Sequence, residues 1–291
     1  MQATEQLLAN DYKVNFVQSY TQMANFSARL RQYEGLLEKA STNASRVISD
    51  KDEMMHGKFN TDEVYMSVGR SALHLSISAL IANDLDTPKT ILDLPCGHGR
   101  EARFFCAAFP QAEIYGCDVN IDGLNFCKEN FAMHAVESMV DLSQLSFPTK
   151  FDLIWCGSLL THLDATRATQ LLDKFADYLN PGGLMLFSSH GRMHANFVHD
   201  RCFKLTSDEL FEKVKSDYLR LGYGYAEYPG VPNFGLSLTS PGWIFNYVYG
   251  RNDLVLSSFA EKAWHGLHDV SVIQKVKLDQ YLYPSDNATS A

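Results

Sequence analysis

This sequence predicts an α/β chain built on a mostly parallel sheet with helices on both faces, and three observations lead there. Short apolar runs alternate with helical runs between about residues 90 and 190, the pattern of repeated strand–helix units. The first of these runs, Ile91-Leu92-Asp93-Leu94, passes straight into Pro95-Cys96-Gly97-His98-Gly99-Arg100, a glycine-rich turn between a strand and a helix. Two more strand-like runs, Leu254–Trp264 and Val270–Val276, are joined by a short turn and close the sheet as an antiparallel pair, bringing it to seven strands.

Taken in order, Asp11 to Lys39 is polar with Val17, Tyr20, Ala24, Leu30, Tyr33 and Leu37 at helical spacing, which predicts one or two amphipathic helices. The polar stretch Ser41 to Gly57 sets a boundary, so residues 1–60 read as an N-terminal helical arm and 61–291 as the main domain. A helix over Ser67–Leu80 ends at Asp86-Thr87-Pro88. Strands follow at Thr90–Leu94, Glu113–Cys117, Glu137–Val140, Phe151–Cys156 and Leu184–Ser188, with helices near Arg100–Ala108, Gly123–Phe131 and Ala165–Leu179. The turn Asn180-Pro181-Gly182-Gly183 ends the last helix. Ser207–Leu221 reads as another helix, and Gly222–Gly242, rich in Gly, Tyr and Pro, as an irregular lid-like insertion near 222–242.

Composition narrows the function classes. Of the 291 residues, 46% are hydrophobic and 20% charged, enough apolar material for a sizeable core. The formal net charge of −9, with no Lys/Arg-rich run, argues against a nucleic-acid backbone and for a small-molecule partner. Cys96, Cys106, Cys117, Cys127, Cys156 and Cys202 form no C-x-x-C pair, so buried thiols are expected and no metal site. The N-terminus has no basic stretch leading into an apolar core, and no run reaches membrane-spanning length, so a cytoplasmic chain is expected.

The run around Asp93 carries the chemistry. A strand ending in a glycine turn brings backbone N–H groups close to a nucleotide-like ligand. Gly97-His98-Gly99-Arg100-Glu101-Ala102 also fits G-x-G-x-x-A, the dinucleotide fingerprint, which keeps an NAD-dependent oxidoreductase open. Asp93 weighs against it, because a carboxylate beside the turn repels a diphosphate and attracts a cationic head. S-adenosylmethionine, with an ammonium and a sulfonium, is the expected cofactor. Asp118 ends the second strand, placed for ribose hydroxyls; Asp141 follows the third, placed for an adenine amino group, with Leu142 beside it to pack on the ring.

These three acids, together with Phe151–Cys156 and Leu179-Asn180-Pro181-Gly182-Gly183, resemble the class I S-adenosylmethionine-dependent methyltransferases, whose fold is Rossmann-like, over about Val68 to Arg192. The resemblance implies that Asp93, Gly97 and Gly99 border the methionine end, Asp118 the ribose, and Asp141-Leu142 the adenine, with Cys156, Gly157 and Ser158 lining the cleft and Val119 also in the cofactor site. Pro95 and Cys96, also assigned to the cofactor site, stand where a small residue and glycine are usual, and Pro95 removes one N–H donor. Within the superfamily, the runs around Cys96 and Trp155 to Leu163 look like a bacterial group with unassigned substrates, associated with glycan or cell-surface biosynthesis.

Methyl transfer to an oxygen or nitrogen of a small molecule or glycan precursor is the expected activity, the acceptor entering beneath Gly222–Gly242. His162 and His190 are the candidate bases. The resemblance places Tyr65, Gly69 and Arg70 where a helix folds over the cofactor, and Tyr223, Tyr225 and Tyr228 read as a packed loop or a substrate platform. His194, His199, His265 and His268 read as structural. A non-catalytic cofactor-binding scaffold subunit is the alternative of a different class, and a homodimer through the N-terminal helices is the expected mode of self-association.

Overall fold

A computed structural model of the chain describes residues 27–55, 61–197 and 207–276. The first part of the predicted arm, Asp11 to Phe26, lies outside the described residues, as does His199. Residues 27–43 form a helix (α1) that packs on its own chain. Tyr33 and Ala40 are buried. Arg29 donates to Asp84 Oδ1 at 2.6 Å and to the Leu85 carbonyl at 2.5 Å.

Helix α2 (Asp62–Ala82) starts at Thr61, whose hydroxyl accepts from Val64 N, with Asp62 and Glu63 in its first turn. Its buried positions Tyr65, Met66, Val68, Gly69, Ala72, Leu73, Ser76, Ile77 and Leu80 recur at three- and four-residue spacing. Among the described residues α2 alone is long and apolar enough to cross a membrane, but 61% of its apolar window is buried in the protein, as in a core helix.

Beyond it come β1 (Thr90–Asp93), α3 (Ala102–Ala108), β2 (Glu113–Asp118), α4 (Ile121–Asn130), β3 (His134–Glu137), β4 (Phe151–Cys156), α5 (Ala165–Tyr178) and β5 (Leu179–Ser189). Helices α6 (Arg192–Phe197) and α7 (Asp208–Leu221), strands β6 (Tyr223–Tyr228) and β7 (Val231–Thr239), helix α8 (Pro241–Tyr249), and strands β8 (Leu254–Trp264) and β9 (His268–Lys275) follow among the described residues. Seven strands form one sheet in the order β3-β2-β1-β4-β5-β9-β8, with β9 antiparallel to both neighbours. The expected fold, a Rossmann-like, mostly parallel seven-stranded sheet, is present. Along the central strands alternate residues serve opposite faces: Ile91, Leu153 and Leu184 enter the core under α2 and α3, while Leu92, Ile154 and Met185 enter the core under α5 and α8.

Three expectations change. The third strand lies at His134–Glu137 rather than Glu137–Val140, because Tyr115 pairs with His134 and Asp118 with Glu137, leaving Met139 and Val140 exposed. The Asn180–Gly183 turn is absorbed into β5, where it bulges between the Phe151–Leu179 and Leu153–Leu184 pairs. Gly222–Gly242 is not irregular: β6 and β7 form an antiparallel hairpin around Pro229-Gly230, with Gly230 at φ +79°. Its base, including Gly235–Thr239 of β7, is buried while Val231–Phe234 are exposed, and it is fastened by Tyr223 Oη to the Leu163 carbonyl and Ser237 Oγ to the Leu160 carbonyl, both at 2.7 Å.

Helix α2 reaches the glycine turn only because residue 69 lacks a side chain. A Cβ there would collide with the Arg100 carbonyl and stand 2.9 Å from the Phe104 ring. Gly69→Ala is expected to lift α2 off the turn and destabilise the chain by about 1–3 kcal/mol, measured by denaturant unfolding; an unchanged midpoint contradicts this packing.

Candidate functional site

The parallel strands reverse order between β1 and β4, and a cavity of about 670 Å³ opens at their C-terminal ends, where open α/β sheets bind ligands. Its floor is the turn after β1. Gly97 and Gly99 hold φ +50° and +74°, a backbone that other residues rarely adopt. Ladder bonding continues past the strand: Leu94 N donates to the Trp155 carbonyl at 3.0 Å and Cys96 N to the Cys117 carbonyl at 3.1 Å. Pro95 falls between these two donors, so its missing N–H disrupts neither bond.

Asp118 and Asp93 set the electrostatics. Asp118 Oδ2 accepts from Gly97 N at 2.7 Å and Oδ1 from Asn120 N at 2.8 Å, which locks the carboxylate beside the turn. Each oxygen keeps a lone pair for a hydroxyl donor in the cavity. Asp93 is buried, and neither of its oxygens has a hydrogen-bond partner among the described residues. Burial first, then the nearby Glu101, Cys127 and Asp118, push its carboxyl well above the usual range. An orphaned carboxylate at this point fits a cationic group and not a second anion.

Of the residues assigned from sequence, Pro95, Cys96, Gly97, Asp118, Val119, Gly157, Ser158 and His162 line the cavity. Asp93, Gly99 and Cys156 are not part of its wall; Cys156 is wholly buried, and burial raises its thiol pKa. Ser158 holds φ +63° and donates its N–H to Ser188 Oγ at 2.7 Å, a strained backbone at the cleft. Asp141 and Leu142 are not brought to the cavity. The Asp141 carboxylate instead caps its own short turn, accepting from Ser143 N, Ser143 Oγ and the Gln144 amide, which hold it below the usual carboxylate range. Leu142 is buried in the core beneath α5.

The candidate bases also separate. His162 lies on the wall, its Nδ1 2.9 Å from the Gly235 carbonyl and its ring stacked on Phe234 at 4.4 Å. A carbonyl only accepts, so Nδ1 carries the proton and Nε2 the lone pair. Burial lowers the His162 pKa, which favours that neutral form. His190 is buried behind the wall, stacked on His194 with ring centres 3.8 Å apart.

Sequence reading missed the rest of the wall. Val68 comes from α2, Trp264 and His268 from β8 and β9, Phe234 from the hairpin and Asp52 to Met54 from the end of the arm. Trp264 reaches back to α2, its Nε1 donating to the Val68 carbonyl at 3.2 Å. Of the helix expected to fold over the site, Tyr65 lines the cavity, Gly69 packs beneath, and Arg70 is not on the wall.

Residues 91–183 match the model of a methyltransferase-domain family. The chain is 30% identical over 145 residues to a malonyl-[acyl-carrier protein] O-methyltransferase of Halalkalibacterium halodurans, covering 46% of this chain and 52% of that protein. It is 34% identical over 102 residues to a fatty-acid O-methyltransferase of Mycolicibacterium smegmatis, covering 34% and 36%. The chain therefore spans about half the length, or less, of these curated relatives. In fold it resembles the plantazolicin methyltransferase BpumL solved with SAH, at a TM-score of 0.52 and 12% identity over 86% of this chain and 100% of that one.

The Asp93 carboxyl makes a pH-dependent prediction. Its folded pKa lies above the unfolded value of about 3.9, so ionisation costs the fold nothing below pH 4 and progressively more as pH rises toward the folded pKa. Asp93→Asn is expected to stabilise the ligand-free chain near pH 7.5 by on the order of 1 kcal/mol, with the gain fading near pH 4. Thermal melts at both pH values check this; a variant less stable at pH 7.5 contradicts an unpartnered buried carboxylate.

Proposed function

From the chain's place in the class I S-adenosylmethionine-dependent methyltransferase superfamily, carried by residues 91–183, we propose that it transfers a methyl group to an oxygen of a small-molecule acceptor. The observation that carries the cofactor assignment is the partnerless Asp93 carboxylate under the glycine turn. Burial disfavours its charge, so it ionises at low cost only against a cationic group such as an ammonium, a partner that the pyrophosphate of NAD does not offer. The oxygen acceptor rests on the names of the two relatives, both O-methyltransferases, and on the histidine poised at the acceptor end.

S-adenosylmethionine, when bound, supplies an electrophilic methyl carbon on a sulfonium. The chain's own residues then have three tasks. Asp118 accepts from ribose hydroxyls with the lone pairs that Gly97 N and Asn120 N leave free. Tyr65, Val68 and Trp264 close an apolar wall that excludes water, and Phe234 narrows the acceptor end. His162 Nε2 takes the proton of a hydroxyl acceptor, with the ring held by Gly235 and Phe234. A carboxylate acceptor arrives already ionised and needs no base. In this reading the β6–β7 hairpin takes the place of the irregular lid, and residues 61–291 form the catalytic unit.

Calorimetry should show S-adenosylmethionine binding and no comparable NAD binding, with Asp118→Ala weakening the cofactor about tenfold or more, a loss near 1.4 kcal/mol; preference for NAD overturns the reading. Transfer of labelled methyl by the purified chain would be followed across a panel of hydroxylated compounds and organic acids. Cofactor binding with no transfer to any member would favour a scaffold subunit. His162→Ala is expected to slow a hydroxyl acceptor about 100- to 10,000-fold while leaving cofactor affinity and carboxylate acceptors little changed. Because burial lowers the His162 pKa, the rate with a hydroxyl acceptor should stay level down to about pH 6.5 and fall only below it, as the ring takes up a proton.

A further inference from the structure

Beside the cavity, His190, His194 and His268 converge, and one ring nitrogen from each lies within 4.8 Å of the others. The fold brings them together by two independent routes. His190-Gly191-Arg192-Met193-His194 is an H-x-x-x-H spacing across the β5–α6 junction, closed by Ala195 N donating to the Gly191 carbonyl at 3.1 Å. That spacing places two imidazoles on one side of a helical turn, as in zinc-binding H-E-x-x-H segments. His268 comes from the start of β9, where the antiparallel register sets Asp269 opposite Ser189. Its ring centre is 4.8 Å from that of His190 and 5.4 Å from that of His194.

We propose that these three histidines form a site for a divalent transition metal of the zinc type. Zinc binds imidazole nitrogen at about 2.0–2.1 Å and takes three protein ligands plus an exchangeable one in open sites. Nitrogens within 4.8 Å of one another need only a modest closure to meet one tetrahedral ion. A supporting shell is present: Ser188 Oγ is 3.2 Å from His268 Nδ1, which leaves Nε2 of that ring as the ligand, and orients it. The Asp269 carboxylate is buried against Gly191, the residue after His190, and brings a negative charge beside an otherwise neutral ligand set. Burial holds all three imidazoles below their ordinary pKa, in the neutral form that binds metal. Of the three, only His268 lines the cavity, so the fourth position is the one an oxygen ligand from the cavity would take.

The test uses the untagged full chain, stripped with a chelator, without cofactor or acceptor, so its outcome is separate from that of the methyl-transfer reading. Titration with Zn²⁺ by calorimetry should show one equivalent per chain, and Co²⁺ should give the intense visible absorption of four-coordinate cobalt. His194→Ala and His268→Ala should each abolish that equivalent. Ser188→Ala should weaken it about 10- to 100-fold, and His74→Ala, an exposed histidine on α2, should leave it intact. Absence of a saturable zinc site in the folded wild-type chain overturns the proposal, as does binding that persists in both histidine variants. If those variants fail to fold, the wild-type cobalt spectrum decides: the weak absorption of six-coordinate cobalt overturns it as well.

Discussion

One buried guanidinium holds the cavity in shape. Arg103 on α3 is 1% exposed and donates from Nε to the Gly99 carbonyl at 2.9 Å, and from its terminal nitrogens to Ser45, Val47 and His98 carbonyls at 3.1, 2.8 and 3.3 Å. It also donates to Tyr65 Oη at 3.2 Å, and that hydroxyl donates onward to Asp52 Oδ2 at 2.6 Å. A lone buried charge would be costly; here five oxygens and the Asp52 carboxylate answer it. The guanidinium carbon also lies 5.0 Å from the ring centres of both Tyr65 and Phe131. This one side chain ties the end of the arm, α2 and the glycine turn to one another, and the Tyr65–Asp52 bond adds a second link between the arm and α2.

That tie sets two demands in opposition. The turn must present its backbone to a ligand, which needs positive φ at Gly97 and Gly99, a bare Gly69 beneath α2 and a partnerless acid at Asp93. Each of these costs stability where the ligand is not bound. The polar network around Arg103 and the alternating core on either side of β1 and β4 offset them. The site is rigid because it is fastened from outside, by elements far along the chain, and not because the turn itself is stable.

This also explains how much the sequence disclosed. Strands β1, β2 and β4 were legible because they are buried on both faces and read as continuous apolar runs ending in Asp93, Asp118 and Cys156. Strand β3 was misplaced because it is an edge strand with exposed positions, where the apolar pair Met139-Val140 outweighs the true pairing segment His134–Glu137. The place of Asp141 after a strand is legible in the sequence, but the bonds of its side chain to its own turn are not. The hairpin at Tyr223–Thr239 was hidden by its glycines, prolines and tyrosines, which suit a loop as well as a twisted two-stranded ribbon. Trp264 and His268 gave no signal at all, since only the antiparallel return of β8 and β9 carries them to the cavity.

The cavity therefore has two halves of different origin. The end around the glycine turn, from Pro95 through Asp118, comes from one contiguous stretch within residues 91–183, the part that matches the methyltransferase-domain family. The opposite wall is assembled from Tyr65, Phe234, Trp264 and His268, all outside that stretch, and His162 stands where the two halves meet. A local motif can fix how a cofactor is held, because strand end, turn and helix are consecutive. An acceptor pocket has no such constraint: its shape depends on which distant segments the sheet edge and the hairpin deliver. The histidine cluster sits on this second half, at the joint of β5, α6 and β9. The wall opposite the glycine turn is thus delivered by segments on both sides of residues 91–183, from the end of the arm and α2 as well as from the hairpin, β8 and β9.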